Sequence, residues 1–324
     1  MIIAIIGATG LVGRKILKIL DEFGYLCDNQ ILLYASKKSC GKVLTIKDNS
    51  YVVQELSLNN INPKTDFAFF CAGTAVSKQW APIFAQNRTV VIDNSNAFRR
   101  DLSAALVVPE INFDSITNQK IISNPNCSTI GLSLVLHSLS KLAKINRVIV
   151  STFQSASGGG QKGIDDLKNN STTKFPHLLS NNLIPHIDSF LSNDYTLEED
   201  KLFFETNRLL KTNIPLCATC VRVPIEICHS EAVNIEFETA VSIQQIKQTL
   251  NKSKGIILAD KPDKNLYPMP VLAQNKNEVF VGRIRQDPSN PKAINLFLCF
   301  DNIRKGASLN AVQIMHEYIK KYRK

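Results

Sequence analysis

The segment SNPNCST, residues 123–129, places one thiol just ahead of an apolar run. Apolar residues follow at the spacing of one helical face, at Leu132, Val135, Leu136, Leu139 and Leu142. Cys127 is therefore predicted at the start of a helix. Unpaired backbone N–H groups and the positive end of the helix dipole favour a thiolate there, which makes Cys127 a candidate nucleophile. The alternative is an inert cysteine that only fills space.

A nucleophile of this kind needs a proton-handling partner and groups that bind the substrate. The chain has five histidines. His137 and His316 fall within helical patterns and are expected to be structural. The remaining candidates are His229, His177 and His186. His229 ranks only marginally first, because the strand pattern before it does not show that it converges with Arg222.

The second half of the chain alternates between apolar and polar residues. In TCVRVPIEI, Arg222 is expected opposite a face formed by Val221, Val223 and Ile225, and in AVNIEFET the inward residues are Val233, Ile235 and Phe237. The segment INRVIVSTFQSASGGGQKG predicts a strand followed by Gly158–Gly160, which permit close backbone approach to another group. This half is predicted to form a mixed or antiparallel sheet with a polar working face.

The N-terminal segment IIAIIGATGLVG reads as a short strand, a glycine turn and a helix. Gly7, Gly10 and Gly13 stand where a dinucleotide fingerprint needs a tight turn, close approach to pyrophosphate and a helix N-terminus for phosphate. The spacing G-x-x-G-x-x-G departs from the commoner G-x-G-x-x-G. We interpret the turn as a nucleotide site rather than a structural turn.

The next apolar strand, QILLYAS, ends where an NAD site would carry an acidic residue for the ribose. The sequence there is ASKKSCGK, and Ser36, Lys37, Lys38 and Ser39 are available to a 2′-phosphate. This favours NADP over NAD. A thiol beside a nicotinamide cofactor points to oxidation or reduction at the acyl level through a thioester.

Further continuous apolar runs predict strands near residues 67–73, 89–95, 105–110 and 120–124, typical of a parallel sheet covered on both faces. Their carboxyl ends are expected to meet at one crevice. The predicted fold is α/β: an N-terminal Rossmann-like doubly wound sheet, then an α+β domain with a mixed or antiparallel sheet. The C-terminal helical pattern, with Val312, Met315, Ile319 and Tyr322 on one face, is expected to pack back on the first domain.

Composition sets further bounds. The chain has 324 residues, 44% of them hydrophobic, and a net charge of +10 without a basic block that would indicate a nucleic-acid partner. The eight cysteines show no disulfide pattern, and CATC at 217–220 lacks the second pair that a zinc site needs, so no metal is expected. The N-terminus shows neither a signal peptide nor a membrane span, which indicates a cytoplasmic protein.

Several motifs together resemble bacterial aspartate-semialdehyde dehydrogenase. They are GATGLVG, DNSNAFR, NPNCSTI, FQSASGGG, RVPIEICHSEAV and DNIRKGASLNAVQI, in that order along the chain. The resemblance implies an NADP-dependent enzyme that converts β-aspartyl phosphate to aspartate semialdehyde and phosphate, in lysine, threonine and methionine biosynthesis. It also favours a homodimer, with a dimer of dimers as the alternative. The expected domains are an NADP-binding domain at 1–127, completed by 303–324, and a catalytic and dimerisation domain at 128–302.

The same resemblance implies roles for individual residues. Cys127 is the nucleophile, His229 the acid/base catalyst and Gln154 the group that orients the intermediate. Arg222 binds the substrate's α-carboxylate and Glu198, or the adjacent Glu199, its amino group. The phosphate contacts are Arg99, Asn126 and Lys201. The cofactor contacts are Gly7, Thr9, Gly10, Leu11, Val12, Gly13, Ser36, Lys38, Ser39, Gly73, Ser157, Gly158 and Asn302.

Three departures from the family motifs and three rival functions remain open at this level. Gly159 stands where the family more often has alanine, CAGTAVS replaces a segment that begins with serine, and Cys228 stands where glycine is common. The nearest rival is N-acetyl-γ-glutamyl-phosphate reductase, whose acylated amine has no use for Glu198. A non-catalytic NADP-sensing module would need the glycine turn but neither Cys127 nor Arg222. A thiol- or metal-dependent hydrolase would leave the glycine turn unexplained.

Overall fold

The computed structural model describes residues 1–323, and the chain divides into two compact units. The first contains residues 1–125 and the described segment from Ala307 onward, and the second is residues 126–306. The boundaries expected from the sequence are 127 and 303. Cys127, assigned above to the first domain, therefore belongs to the second unit. Among the described residues, no helix has the length and apolar character needed to cross a membrane.

The first unit is built on a parallel sheet. Its strands are β1 (Ile2–Ile6), β2 (Gln30–Ala35), β3 (Val43–Ile46), β4 (Asn49–Glu55), β5 (Phe67–Phe70), β6 (Val90–Asp93), β7 (Ala105–Leu106) and β8 (Ile121–Ser123). Its helices are α1 (Leu11–Glu22), α2 (Thr74–Gln86), α3 (Pro109–Asn112) and, at the C-terminal end, α9 (Leu309–Tyr322). Within residues 1–323 the strand order is β3-β4-β2-β1-β5-β6-β8-β7, parallel except for β3–β4. The doubly wound prediction is confirmed, whereas the β3–β4 hairpin was not predicted.

Both faces of this sheet are buried, as continuous apolar strands require. In β1, Ile3 and Ile5 belong to one core cluster with Leu17 of α1 and Val312 of α9. Ala4 and Ile6 belong to another core cluster, which contains Phe84 of α2. Alternate side chains of a strand point to opposite faces, so one short apolar run supplies two cores. The expected packing of the C-terminal helix on the first unit is confirmed.

The glycine turn between β1 and α1 leaves no room for side chains. Gly7 has φ +86°, and a Cβ there would lie 2.8 Å from the carbonyl carbon of Cys71. At Gly13 a Cβ would lie 2.4 Å from the Gly7 oxygen and 2.8 Å from the Ala8 Cα. Since the obstructing atoms are backbone atoms, the turn and helix can approach this closely only with glycine at both positions.

A Gly13→Ala chain should lose stability. Its new methyl group would overlap the main chain of the turn, and we expect the free energy of unfolding to fall by about 2 kcal/mol. Urea denaturation measures this loss. Gly10→Ala is the matched control, because a Cβ at Gly10 would lie 3.4 Å from the Gly7 oxygen, an ordinary contact. Equal stability of the two variants would contradict the packing argument.

The second unit combines a mixed sheet with helices. Its strands are β9 (Ile145–Gln154), β10 (Leu216–Arg222), β11 (His229–Phe237), β12 (Ile256–Leu258), β13 (Val279–Asp287) and β14 (Asn290–Phe300). Its helices are α4 (Cys127–Leu139), α5 (Gln161–Asn169), α6 (Leu197–Leu210), α7 (Ile243–Lys252) and α8 (Pro270–Ala273). The order is β10-β9-β11-β14-β13-β12, with β9–β10 and β12–β13 parallel and the other pairs antiparallel. The predicted mixed sheet is confirmed.

The polar working residues lie on the buried face of this sheet. Arg222 is buried together with Cys220, whereas Val221 is only half-buried and Ile225 is 39% exposed. Val221 and Arg222 thus lie on opposite faces of β10, as the alternation predicts, and the buried face is the one that carries Arg222. In β11, His229 shares the buried face with Val233, which was correctly predicted inward. Arg222 and His229 are thus held on one side of the sheet.

Candidate active site

Cys127 is the first residue of α4 and is partly buried. Asn126 caps the helix, and its side-chain oxygen accepts hydrogen bonds from the backbone N–H of Ser128 at 2.9 Å and of Thr129 at 3.4 Å. A Cβ added to Gly306 would lie 3.0 Å from the Cys127 Cβ. The thiol therefore occupies the position predicted for it, at the positive end of a capped and largely buried helix.

The Asn126 cap is itself held by carboxylates of α6. Its backbone N–H donates to Glu205 at 2.6 Å, and its Nδ2 donates to both oxygens of Glu198 at 2.9 and 3.1 Å. Glu198 also accepts from Gln154 Nε2 at 3.2 Å and from Lys201 Nζ at 3.1 Å. Glu198 thus joins Asn126 and Lys201, predicted to bind phosphate, and Gln154, predicted to orient the intermediate, into one hydrogen-bonded network.

Glu198 is ionised in this network. Burial favours its neutral form, but Lys201, Asn126 and Gln154 outweigh burial and lower the pKa of Glu198 to about 2. Burial likewise disfavours the charged ammonium of Lys201, while Glu198 and Asp188 together raise its pKa. The Lys201–Asp188 distance is 2.5 Å. A buried carboxylate of fixed charge is suited to bind a cationic amino group.

The adjacent Glu199 has a different position. Its side chain accepts from the Thr196 backbone N–H at 2.7 Å while the Thr196 hydroxyl accepts from the Glu199 N–H, a capping box at the start of α6. Its other oxygen accepts from the Cys220 N–H of β10 at 3.0 Å. Both oxygens of Glu199 hold secondary structure, so geometry favours Glu198 as the substrate contact.

Arg222 ends β10 and is 5% exposed. Its Nη1 donates to the Ser155 carbonyl at 2.7 Å, and its guanidinium lies over the Phe175 ring at 5.4 Å from the centroid. Burial lowers the pKa of Arg222, and interactions with Glu198 and Cys127 oppose that shift. Its Nε has no hydrogen-bond partner among residues 1–323. A buried guanidinium with an unused donor is suited to a carboxylate ligand.

His229 is fully buried at the start of β11. The Ser155 backbone N–H donates to its Nδ1 at 3.1 Å, and the Ser155 hydroxyl lies 3.2 Å from the same atom. Because a backbone N–H only donates, Nδ1 accepts, and the neutral ring carries its proton on Nε2. Within the described chain Nε2 has no hydrogen-bond partner. Burial, with the nearby Arg222, lowers the pKa of His229 to about 3.

This shift predicts a pH-dependent stability. Between pH 6.5 and 3 the unfolded chain takes up a proton at His229 that the folded chain does not, so stability falls as the pH is lowered through that window. From pH 7 to pH 5 the loss due to His229 should be about 2 kcal/mol. Urea titrations at both pH values should show a correspondingly smaller pH effect in His229→Gln. An unchanged pH effect in that variant would contradict the assignment.

The remaining predicted residues of the second unit surround Arg222 and His229. A Cβ at Gly158 would lie 2.5 Å from Arg222 Nη1 and 3.3 Å from His229 Cε1, which explains the glycine. Asn302 is 2% exposed, and its Oδ1 accepts from the Cys228 N–H at 2.9 Å and from the Ser155 and Ser157 hydroxyls. Asn302 therefore ties the start of β11 to the loop after β9. Its role as a cofactor contact stays a prediction.

The first unit holds the other predicted residues. Arg99 is buried and donates to the carbonyls of Asn124 at 3.0 Å and Asn94 at 2.9 Å. Gly73, with φ +92°, follows β5 and caps α2. The turn after β1 contains Gly7, Thr9 and Gly10, the first residues of α1 are Leu11, Val12 and Gly13, and the turn after β2 contains Ser36, Lys38 and Ser39. Both turns follow the carboxyl ends of adjacent parallel strands, where dinucleotides bind in such sheets.

Comparison with known proteins decides the family. The family model described as semialdehyde dehydrogenase, NAD binding domain matches residues 2–119, and that described as semialdehyde dehydrogenase, dimerisation domain matches residues 136–305. Aspartate-semialdehyde dehydrogenase from Aquifex aeolicus is 44% identical, with 98% of each chain covered, and that from Campylobacter jejuni is 42% identical, with 98% of this chain and 97% of the relative covered. The chain belongs to the aspartate-semialdehyde dehydrogenase family.

Solved structures agree with this family. Aspartate semialdehyde dehydrogenase II from Vibrio cholerae, in complex with ASA, matches with a TM-score of 0.94 and 38% identity, over 99% of this chain and 98% of that one. The Candida albicans aspartate semialdehyde dehydrogenase solved with NADP shares the fold, with a TM-score of 0.78 and 24% identity over 98% of each chain. The resemblance read from the sequence motifs is confirmed.

Some residues around this dehydrogenase site were not found from the sequence. Glu205, which accepts from the Asn126 N–H, lies about two helical turns after Glu198 and therefore on the same face of α6, so the periodicity of α6 was an available signal. Thr196 and Glu199 form the S/T-x-x-E pattern that marks a helix start and separates Glu199 from Glu198. Phe175 and Asp166 lie beside a loop without periodicity, and no sequence signal pointed to them.

Proposed function

We propose that the chain catalyses the NADPH-dependent reductive dephosphorylation of β-aspartyl phosphate to aspartate semialdehyde, through a thioester on Cys127. The observation that carries this proposal is one cluster of groups. Cys127 lies at the α4 N-terminus, and ionised Glu198 accepts from Asn126, the cap of that helix. Arg222 and His229 are both hydrogen-bonded to Ser155. These groups supply a nucleophile, an anionic site, a cationic site and a hydrogen-bond donor. The reaction is the one that the family name describes.

The two charged ends of the substrate have matching partners. We assign the α-carboxylate to Arg222, whose Nε has no partner among the described residues, and the amino group to Glu198. The phosphate set implied by the motifs is Arg99, Asn126 and Lys201. The Lys201 ammonium has three donors, of which Asp188 and Glu198 accept two. Asn126 acts in addition as the helix cap that positions Cys127.

The first unit has features that fit NADP. Gly7 packs against the main chain after β5, where a Cβ would lie 2.8 Å from the Cys71 carbonyl carbon. Helix α1 begins with Gly10 as its cap and has no acidic residue in its first turn, as an N-terminus that binds pyrophosphate requires. Ser36 and Lys38 follow β2, where an NAD site would carry an acid, and both are exposed. These two side chains would hold the 2′-phosphate. NADPH, when bound, supplies the hydride.

The chemistry has two covalent steps. The Cys127 thiolate attacks the acyl carbon, a C–S bond forms, and the C–O bond to phosphate breaks; the departing phosphate takes the one proton that the net reaction consumes. Hydride addition to the thioester carbon then gives a thiohemiacetal anion. This anion collapses as the C–S bond breaks, which releases the aldehyde and regenerates the thiolate. The α4 N-terminus favours the Cys127 thiolate both before the attack and after the aldehyde has left.

His229 serves this cycle through Nε2. The motifs imply an acid/base catalyst, and the tautomer set by Ser155 presents Nε2–H as a hydrogen-bond donor. A donor aimed at the substrate oxygen stabilises the negative charge that develops in both steps. Neither step requires the neutral imidazole to lose that proton. Gln154, bound to Glu198 at 3.2 Å, is assigned to orient the acyl intermediate.

A phosphate-dependent assay tests this function. Aspartate semialdehyde, phosphate and NADP should yield NADPH, whereas N-acetyl-γ-glutamyl semialdehyde, the substrate of the nearest rival, should give much less. Iodoacetamide should label Cys127 rapidly, and aspartate semialdehyde should protect it, which a non-catalytic NADP sensor would not show. Absence of NADP reduction by the intact protein would overturn the proposal.

We also propose that the enzyme is a cytoplasmic homodimer formed through its second unit. Support for the dimer comes from the match to the dimerisation-domain model over residues 136–305. The cytoplasmic location is supported by the biosynthetic role of the named relatives.

A further inference from the structure

Arg222 is fixed by unusually few polar contacts for a buried arginine. Among residues 1–323, its guanidinium has one hydrogen bond to protein, from Nη1 to the Ser155 carbonyl at 2.7 Å, and its Nε has none. A guanidinium that binds a carboxylate through two parallel hydrogen bonds must be held in one plane. The guanidinium also lies over the face of the Phe175 ring, with 5.4 Å between the guanidinium carbon and the ring centroid.

Phe175 is itself rigidly seated. It is 7% exposed and packs in a small apolar cluster with Ala156, Leu179, Ile184 and, at its edge, Leu167. Two glycines make room for the ring: a Cβ at Gly159 would lie 2.9 Å from the Phe175 Cζ, and a Cβ at Gly163 would lie 2.8 Å from the same atom. The SGGG departure noted in the sequence therefore has a physical reason, since alanine at 159 would displace the ring.

Asp166 holds the main chain that leads to Phe175. Its Oδ1 accepts from the Ser171 hydroxyl at 2.6 Å, the Thr173 N–H at 2.9 Å and the Thr173 hydroxyl at 2.7 Å. Its Oδ2 accepts from the Lys174 N–H at 2.6 Å and the Phe175 N–H at 3.0 Å. Burial opposes ionisation, but these donors outweigh burial and lower the pKa of Asp166, so the carboxylate is charged and fully used.

The same segment also holds the main chain of Arg222. Ile184 N–H donates to the Arg222 carbonyl at 3.0 Å, and Arg222 N–H donates to the Ile184 carbonyl at 2.8 Å. Ile184 belongs to the Phe175 cluster. Residues 166–184 therefore contact both the backbone and the side chain of Arg222, and we call this segment the Arg222 strap.

We propose that Phe175, held by Asp166, is a positioning residue that fixes the Arg222 guanidinium for the substrate's α-carboxylate. This inference rests on the proposed function, in which Arg222 binds that carboxylate. A ring against one face of a planar cation leaves the N–H groups at its edge free for two hydrogen bonds. Without the ring, the guanidinium gains rotamers, and the substrate must order it on binding.

The test compares two aldehydes that differ by one carboxylate, aspartate semialdehyde and 3-aminopropanal. In Phe175→Leu, kcat/KM for aspartate semialdehyde should fall about tenfold, chiefly through KM, while kcat/KM for 3-aminopropanal should not change. Asp166→Asn should show the same selective loss, although Asp166 affects Arg222 only indirectly, through the main chain that holds Phe175. In an Arg222→Lys background, Phe175→Leu should have no further effect on selectivity.

The matched control is Leu250→Ala, which removes buried apolar volume from α7, outside the strap and the Phe175 cluster. It should lower the thermal midpoint without changing the ratio of the two kcat/KM values. Equal losses for both aldehydes in Phe175→Leu, or an additive effect with Arg222→Lys, would overturn the positioning role. A wild-type protein inactive on aspartate semialdehyde would instead overturn the proposed function, so the two failures are distinguishable.

Discussion

A Cys127→Ser enzyme should lose at least about a thousandfold in kcat for phosphate-dependent oxidation of aspartate semialdehyde. A serine hydroxyl at the α4 N-terminus has neither the thiolate population nor the leaving ability that the thioester route requires. The backbone and the Asn126 cap should be unaffected, because both side chains have similar size and the cap bonds run to Ser128 and Thr129. The loss should therefore appear in kcat without a change in thermal midpoint.

Cys127→Ala and Cys217→Ser complete that experiment. Alanine at 127 should be as inactive as serine, whereas Cys217 is an exposed thiol on β10 and its replacement should leave kcat unchanged. Mass spectrometry of wild-type enzyme quenched during turnover should show an acyl adduct on the peptide that contains Cys127. Near-normal turnover by Cys127→Ser would exclude the thioester route.

Arg222→Leu should reduce kcat/KM for aspartate semialdehyde by about a hundred- to a thousandfold. Leucine keeps apolar volume against Phe175 but removes the only guanidinium assigned to the α-carboxylate. Glu198 loses its electrostatic interaction with Arg222 and keeps its ion pair with Lys201. The loss in kcat/KM should appear mainly as a higher KM, because the carboxylate is bound in the ground state and the transition state alike. Steady-state kinetics with aspartate semialdehyde measure it directly.

Arg222→Lys provides the matched comparison. A lysine retains the charge but not the planar pair of donors, so we expect it to recover about tenfold of the activity lost in Arg222→Leu. Since 3-aminopropanal has no carboxylate, its kcat/KM should differ little among the three proteins. A similar loss for both aldehydes would show that Arg222 supports the fold of the site rather than the recognition of the substrate.

The features predictable from the sequence are those with local signals. The β1 strand, the glycine turn and α1 follow one another within a few residues, and each has its own pattern, so both the Rossmann-like unit and its phosphate turn were correctly predicted. The position of Cys127 at a helix start followed from the periodicity of α4 alone. The sequence signals for these elements lie within the elements themselves and do not depend on distant parts of the chain.

The orientation of Arg222 shows where local reasoning fails. Alternation places Arg222 opposite Val221 but does not say which of the two faces is buried. In the structure β10 buries Arg222 and Cys220 and leaves Val221 half-buried, because the buried face of this sheet carries the site. The strap from Asp166 to Ile184 is even harder to predict from the sequence. Its order comes from one carboxylate that accepts several backbone and hydroxyl donors, and such hydrogen bonds leave no periodic trace in a sequence.

Ser155 joins two functions in a single residue. Its carbonyl accepts from Arg222 and its N–H donates to His229, so the group assigned to recognition and the group assigned to catalysis share one short piece of main chain. A lineage that shifted this piece to admit a longer substrate would also change the tautomer or aim of the imidazole. New substrate specificity in this fold is therefore expected to arise from substitutions of residues around Ser155, while the main chain of Ser155 itself keeps its position.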